Sequence, residues 1–471
     1  MTKFFLDQYG CAKNQVDGEL IVARLRAMGF EQTQTQDNAD IIIVNSCGFI
    51  QSAKTESLNA VLQAKSKFPN AKVLLAGCLA QRYAETLYKD LPEADGIFGN
   101  GDISALDEII PPLLRGTRPL KTPEQKGISC GERTEFLSFP GSAYVKITEG
   151  CDNCCSFCAI PLIRGRLRSR TQDDIVNEIR QLLKRGIFEI NLVGQDSASY
   201  GMDGVPPHDT KIWSQFNGSE ENGKQSPLAS LLKKISMLEG KFWVRILYIH
   251  PDHFPLDILP VIAGDKRILP YFDIPFQSGS DSILNKMNRT GSASQYVQLV
   301  DKIRSSLAKT DYKGIALRTT FLAGFPGETE KDAEKTAGFL AQIKPDWSGC
   351  FSYSKEDDTP AEKMKNQVPA KTAKKRVEKL QAIQTDLTAQ ALQKRCDKTY
   401  DILVEEVIQG GDGEGTGLAI GRAWFQAADV DGAVVIRYEL DSPQSQKIQP
   451  GAVVPVHVTG VSGVDMTGEA I

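Results

Sequence analysis

The sequence predicts an α/β protein in three parts: an N-terminal doubly wound α/β domain, a central partial (βα) barrel and a small C-terminal β-barrel. Three observations predict it. Unbroken apolar runs alternate with segments of helical periodicity over residues 1–115. A longer series of the same kind fills 138–372, and 399–471 holds short alternating strands between glycine-rich turns. A chain of 471 residues has room for this division.

In the first part TKFFLDQ reads as a short strand. GELIVARLRAMGF places apolar residues at helical spacing and stops at a glycine; ADIIIVN is an unbroken apolar strand; AKTESLNAVLQAKSKF is helical; AKVLLAG is another buried strand. Strands that are apolar throughout suit a parallel sheet covered on both faces. Cys11, Cys47 and Cys78 each follow one of these strands by one to four residues and are 36 and 31 residues apart, about one βα unit each. Parallel strands end on one edge, so the three thiols are expected to meet in the crevice at the strands' carboxyl ends, where ligands sit in this architecture. The alternative is three unrelated buried cysteines, because cysteine is often a small core residue.

Residues 116–137, GTRPLKTPEQKGISCGERTEFL, are polar and rich in proline and glycine and read as a linker. From 138 to 372 the strand candidates are AYVKI, EINLV, FWVRILYI, YFDIPF, ALRTTFL and CFSYS, with helices such as DDIVNEIRQLLKRG and ASQYVQLVDKIRSSLAK between them. Six βα units indicate a full or partial barrel with its chemistry at the carboxyl ends of the strands. Polar and glycine residues gather at those ends: QDS, HPD, QSGSD, GFPGE and KEDD. Residues 201–226 interrupt the pattern and read as a mobile surface insertion without regular structure, in which His208 is solvated.

A charged helix over 373–398 bridges to the last module, 399–471, whose strand candidates are YDILVEEV, AVVIRYEL and AVVPVHVTGV. Short strands and glycine turns argue a small β-barrel. Eleven acidic residues stand there against Arg422, Arg437 and Lys447, a net charge of −8.

Composition bounds the function. Apolar content of 41% and charged content of 24% are those of an ordinary globular protein, and a net charge of −4 excludes a wholly basic nucleic-acid coat. No apolar run approaches the length of a membrane span, and the start MTKFFLDQYGCAKNQ has no export signal, so a cytoplasmic location is expected. In that compartment ten cysteines favour metal ligation or redox chemistry over disulfides. None of the four histidines lies in the first 200 residues, so a metal there needs sulfur or carboxylate ligands.

EGCDNCCSFCAIP, residues 149–161, puts four cysteines into eight positions. Two pairings are open. Two successive CxxC pairs would resemble zinc knuckles, although four-cysteine zinc sites usually separate their pairs by a dozen residues or more. Cys151, Cys155 and Cys158 form instead a CxxxCxxC loop, and a short loop of three thiolates can grip an iron–sulfur cube. Three thiolates on a four-iron cube leave one iron open to a small molecule.

CxxxCxxC directly after the first strand of such a barrel resembles the hallmark of the radical S-adenosylmethionine (SAM) superfamily. That resemblance implies that the open iron chelates the methionine end of SAM and that an electron from the cluster releases a 5′-deoxyadenosyl radical. Cys154 is then a bystander. The order of the three parts resembles the methylthiotransferases, whose last module is called TRAM. GCAKNQVDGE, NSCGFIQSAKTES, EGCDNCCSFCAIPLIRGRLRSR, DIPFQSGSDSILNKMNR and LRTTFLAGFPGETE look like the protein-modifying branch, the RimO type. Cys154 departs from the basic residue usual at its position, and the 201–226 insertion is longer than usual. The resemblance implies two [4Fe-4S] clusters, on Cys11, Cys47 and Cys78 and on Cys151, Cys155 and Cys158. It also implies transfer of a methylthio group from SAM-methylated sulfur to an aspartate β-carbon in protein twelve of the small ribosomal subunit.

Other strand-end residues are candidates for SAM. Gln195 and Asp196 would bind its methionine or ribose end, with a helix cap as the alternative reading. Gly324, with Gly327, would admit the adenine, or make a plain tight turn; Gln277 is similarly placed. Arg164, Arg168 and Arg170 either face substrate or pair with surface acids. Cys130, Cys350 and Cys396 have no partner at ligand spacing. The acidic terminal module would repel RNA and attract a basic ribosomal protein. The competing readings are a transfer RNA adenosine methylthiotransferase, a two-cluster electron carrier without substrate, and a zinc-stabilised scaffold. Electron donor and sulfur source are not legible in the sequence.

Overall fold

The computed structural model describes residues 1–216, 224–408 and 415–471. The first domain runs β1 (Lys3–Gln8), α1 (Ala12–Ala27), β2 (Glu31–Gln32), β3 (Ile41–Ser46), α2 (Gln51–Lys67), β4 (Lys72–Gly77), α3 (Cys78–Asp90), β5 (Gly96–Gly99), α4 (Leu106–Leu114) and β6 (Leu120–Lys121). Its six strands are parallel in the order 2-1-3-4-5-6. In a doubly wound sheet of this order the direction of winding reverses between β1 and β3, which opens a crevice there. β3 is buried at every position, as an interior parallel strand covered on both faces must be.

Helix α1 begins at Ala12, six residues before the expected start, with Cys11 at its N-cap position. Lys13, Asn14, Asp17 and Glu19 on it are buried although polar, because this helix packs on the central domain. The linker is also more structured than its composition indicates. Its β6 adds an edge strand to β5, and its Arg133 is buried between Glu19 and Glu178, 2.5 Å from each.

The central domain runs β7 (Ser142–Lys146), β8 (Thr148–Glu149), α5 (Ile160–Arg164), β9 (Arg168–Ser169), α6 (Gln172–Lys184), β10 (Glu189–Val193), α7 (Thr210–Trp213), α8 (Pro227–Ser236), β11 (Trp243–Ile246), α9 (Ile258–Gly264), β12 (Ile268–Asp273), α10 (Asp281–Lys286), α11 (Ala293–Leu307), β13 (Ala316–Ala323), α12 (Glu330–Ile343) and β14 (Trp347–Ser352). Strands 7-10-11-12-13-14 form one parallel sheet in sequence order, an open barrel, with β8 and β9 as a separate antiparallel ribbon. Side chains alternate between faces. Val145, Ile190, Leu192, Val244, Phe272 and Leu317 enter the core under the helices. Tyr144, Glu189, Arg245, Tyr271 and Arg318 line the concave side.

Helix α13 (Ala370–Gln393) leads to β15 (Lys398–Ile408), β16 (Thr416–Arg422), β17 (Val434–Glu439), β18 (Val453–Ser462) and β19 (Asp465–Ala470), a closed barrel in the order 15-16-17-19-18. β16 and β19 are glycine-bearing strands that sequence reading takes for turns. Residues 423–431, between β16 and β17, fill the concave side of the open barrel. Trp424 and Phe425 pack there with Tyr144, Trp243, Tyr271 and Trp347. Arg245 donates to Trp424 O (2.9 Å), Trp347 Nε1 to Phe425 O (2.9 Å), and Tyr271 Oη to Asp431 (2.6 Å). Glu189 is held by Arg245 (2.8 Å) and by Arg422 of the terminal barrel (2.7 Å).

The insertion departs from expectation. α7 lies in it, and Met202, Trp213 and Phe216 are buried with Leu167, so its first half is packed, with His208 exposed; residues 217–223 lie outside the described residues. Cys350 is buried within β14, Cys130 is exposed, and Cys396 is buried just past the end of α13 rather than in it. No described helix is long and apolar enough to cross a membrane.

Candidate functional site at the domain boundary

Cys47 and Cys78 come directly after β3 and β4, and Cys11 comes three residues after β1. The three strands are neighbours in the sheet, so the cysteines share its carboxyl edge at the crevice between β1 and β3. Close backbone approach brings them together. A Cβ on Gly10 (φ +90°) would stand 3.1 Å from Cys47 Cβ, and one on Gly48 would stand 2.8 Å from Cys78 O, so larger residues would push the three turns apart.

Asn14 supports this crevice from α1. Its Nδ2 donates to Tyr9 O, Asn45 O and Ser46 O, and its Oδ1 stands 3.7 Å from Cys78 Sγ. Asn100 Nδ2 and Arg164 Nη2 donate to Cys78 Sγ at 3.3 and 3.1 Å. Cys11 is the exposed member of the set; desolvation would raise its thiol pKa, but Lys13 and Arg164 outweigh this and hold it below the usual value. Burial raises Cys47, and it raises Cys78 to about 12 despite Arg164.

The second set lies on the loop between β8 and α5. The β8–β9 ribbon and a bond from Cys151 N to Gly165 O (3.1 Å) close the base of the loop. Cys158 N donates to Cys155 O (2.9 Å), and Ser156 is tied on both sides, to Met287 O through its N and to Ala361 N through its O. Burial raises all three thiols, Cys158 to about 12; Cys155 and Cys158 add to the rise at Cys151, while Arg289 opposes it at Cys155 and Cys158. Cys154 differs: it is exposed and has a left-handed backbone (φ 49°), with its carbonyl accepting from Asn288.

The two sets face each other. Cys78 packs on Ala159 and Ile163, which follow Cys158. Lys13 donates to Gly194 O (2.9 Å) and acts electrostatically on both Cys11 and Cys158. Arg164 is the main link. It pairs with Glu149 (2.8 Å) and Asp17 (2.9 Å), and Lys146 pairs with the same two acids at 3.0 and 2.6 Å. Burial alone would raise Glu149, but Arg164 and Lys146 hold it well below the carboxylate range. Arg170 is also buried, with Asp174 and Glu178, whereas Arg168 donates to backbone carbonyls. Two of the three arginines, Arg164 and Arg170, therefore pair with acids, and their own side chains are buried rather than on the surface.

The strand-end candidates separate. Gln195 Nε2 donates to Glu149 (3.0 Å), and its Oε1 is buried without a partner. Asp196 is engaged on both oxygens: it caps the turn at 197–199 through Ala198 N and accepts from Asn153, Ser199 and His253. Gln277 has φ 68° and bridges to Phe321. Gly324 has φ +78°, and a Cβ there would stand 2.3 Å from Ala373 Cβ, so the close approach it permits is to α13.

His250, His253 and Trp213 are not singled out by sequence reading. His250 Nε2 stands 3.9 Å from Cys155 Sγ, its ring stacks on His253 at 4.7 Å, and Trp213 from the insertion covers His253 at 4.3 Å. Burial, then Arg289 and His253, lower His250 to about 3, so the ring is neutral. The signal was present in HPDH, where two of only four histidines follow one strand.

The donor chemistry fits two iron–sulfur clusters. Each set offers three thiols, most of them raised by burial, and iron would compensate for their deprotonation. Among the described residues no three His, Cys, Asp or Glu side chains meet closely enough for a single metal ion; a four-iron cube is larger and needs a wider spread. Gln195 Oε1 and Arg289 Nε, buried without partners beside the second loop, are the kind of polar atoms that a bound amino acid moiety would satisfy.

Comparison with known proteins agrees with this geometry. Residues 3–99 match the family described as uncharacterized protein family UPF0004, 145–340 the radical SAM superfamily and 398–471 the TRAM domain. The chain is 50% identical to the ribosomal protein uS12 methylthiotransferase RimO of Treponema denticola, over 99% of this chain and 100% of that protein. It is 36% identical to the protein of the same name from Syntrophomonas wolfei, over 98% of each. A radical SAM methyltransferase, TsrM from Kitasatospora setae, shares the fold at 13% identity and a TM-score of 0.50, over 77% of this chain and 74% of that one. With its three parts in that order and its two sets of cysteines, the chain belongs to the RimO family of methylthiotransferases within the radical SAM superfamily.

Proposed function

We propose that the protein transfers a methylthio group to the β-carbon of an aspartate in ribosomal protein uS12, in the cytoplasm. Cys11, Cys47 and Cys78 would hold one [4Fe-4S] cluster, and Cys151, Cys155 and Cys158 would hold another that binds SAM. When bound, the clusters would supply a reducing electron for SAM cleavage and an iron site for exogenous sulfur. The chain's own residues do the rest. Arg164 and Lys13 place positive charge between the two sets of thiols, and Glu149, Asp17 and Lys146 fix that charge. Gln195, with one free amide oxygen, is the residue we assign to the methionine end of SAM; Gly324 and Gln277 shape the rim, and Asp196 holds the loop that carries Gln195.

The observation that carries this reading is the meeting of two three-thiol sets across one domain boundary, linked by Arg164. A fully ligated electron carrier would need a fourth protein sulfur at each set, and Cys154 could complete only one of the two. The terminal module supports a protein substrate slightly less strongly than its composition implies, because Asp431 is spent on Arg318 of the central domain. The test is mass spectrometry of uS12 and of transfer RNA from cells lacking the gene. Loss of a CH2S increment from uS12 alone supports the reading; loss from transfer RNA alone overturns it.

A further inference from the structure

The chain carries a net charge of −4 and its last module −8, yet residues 363–379 hold seven basic residues against one acid, Glu378. Arg376 is the one of these cations that is in an ion pair among the described residues, with Glu328 and Glu330. The other six, Lys363, Lys365, Lys371, Lys374, Lys375 and Lys379, are exposed. On α13 the lysines at 371, 374, 375 and 379 fall at helical spacings of three and four and so share one face. Ala373, Val377 and Leu380 on the other side are buried against the central domain. From Lys371 to Lys379 the helix rises about 12 Å.

This ridge starts at the mouth of the site. Ala361 N donates to Ser156 O (2.8 Å) on the Cys151–Cys158 loop, and Met364 packs on the same cluster as Phe157 from that loop. Gly327 N donates to Asn366 O (2.8 Å), and the first turn of α13 lies against Gly324 at the end of β13. A row of solvated lysines, mostly unneutralised, is unusual on an acidic protein, since it costs self-repulsion that pairing would relieve. Its charge suits a polyanion with regularly spaced phosphates.

We propose that Lys363, Lys365 and the α13 lysines form an RNA-backbone contact that seats the enzyme on ribosomal RNA beside its target, so that uS12 is met within a ribosomal particle. This rests on uS12 being the substrate. It assigns RNA contact to α13 and not to the acidic terminal barrel. Phosphate contacts set position without reading sequence, and the target aspartate would still be chosen by the site.

The test uses the full-length, cluster-loaded enzyme and a Lys371→Glu/Lys374→Glu/Lys375→Glu variant. Binding to a short single-stranded RNA is read by fluorescence anisotropy over a salt series, and methylthiolation is read on free uS12 and on small ribosomal subunits. The expected result is RNA binding by the parent that is at least ~10-fold weaker in the variant, with a salt slope smaller by about 2, at roughly 0.7 per phosphate contact. Methylthiolation of free uS12 should be unchanged and that of small subunits should fall. A Lys→Gln version of the triple variant should shift in the same direction by less. Equal RNA binding by parent and variant overturns the proposal. So does equal loss of activity on free uS12 and subunits, or binding of phosphatidylserine vesicles or polyglutamate as tightly as RNA. If the parent modifies transfer RNA and not uS12, the functional reading fails, and the RNA-binding comparison still gives its own answer.

Discussion

Arg164 Nη2 stands 3.1 Å from Cys78 Sγ, although 86 residues separate them and they belong to different domains. The guanidinium fork makes this contact while also pairing with Glu149 and Asp17, a use of its fixed donors that lysine cannot reproduce. Arg164→Met would leave two buried carboxylates short of a partner, a change worth about 3–5 kcal/mol where buried pairs are broken. We expect the variant to melt at a lower temperature, and Arg164→Lys to fall between it and the parent, by calorimetry on the whole protein.

Iron content separates the cysteines. Anaerobically reconstituted parent should carry about eight irons per chain, from two four-iron clusters. Cys47→Ala and Cys155→Ala should each carry about half as much, and Cys154→Ala should match the parent. Iron analysis with electron paramagnetic resonance checks this; a loss in Cys154→Ala equal to that in Cys155→Ala would reassign the ligands.

Glu189 ties the terminal barrel to the central sheet. Burial would raise its pKa, but Arg422 and Arg245 more than offset that and leave it depressed. A depressed carboxylate stabilises the fold above the ordinary carboxylate pKa, and this contribution is lost as pH falls through the folded value. Glu189→Gln should therefore loosen the terminal barrel at neutral pH, at a cost of about 3–5 kcal/mol. Hydrogen exchange in β15–β19 should show the difference, which should shrink only under strongly acidic conditions.

Gly324 faces Ala373 too closely for any side chain. Gly324→Ala should lower the melting temperature, and adding Ala373→Gly should restore part of the loss. The part that remains reflects the left-handed backbone at 324 and the helix propensity lost at 373, about 1 kcal/mol each. If SAM affinity stays low while stability recovers, the glycine also serves the cofactor.

Trp213 covers His253 and belongs to a segment that sequence reading leaves as mobile. Truncating a buried tryptophan to alanine costs about 3–5 kcal/mol in well-packed cores. In Trp213→Ala we expect amides of 201–216 to exchange faster while those of β10 and β11 do not change.

What was legible in the sequence follows from the reach of each signal. The places of Cys11, Cys47 and Cys78 could be read because a strand's end fixes them locally and parallel strands share an edge. The CxxxCxxC loop is local too. The network of Asp17, Lys146, Glu149 and Arg164 was not legible, because its members come from two domains and each looks like a surface charge on its own segment. Burial of Asp17 and Glu19 on α1 needs the partner domain to be known. β16 and β19 were missed because glycine, read as a turn residue, sits in strands where a neighbouring backbone comes close. The insertion was misread because Trp213 and Phe216 lie among prolines and glycines, and their packing partner, Leu167, is distant in sequence.

Residues 423–431 occupy the hollow of the central sheet, and they leave the ribosome only after the whole of that sheet has been made. Domains generally fold as units while the chain emerges, N-terminal first. Here the middle domain must wait with Glu189 and Arg245 paired only with each other, and Arg318 without Asp431, until the tail arrives. The loop bearing Cys151, Cys155 and Cys158 thus sits on a half-finished scaffold until then, and a chain cut short before residue 423 would lack the support behind its three thiols.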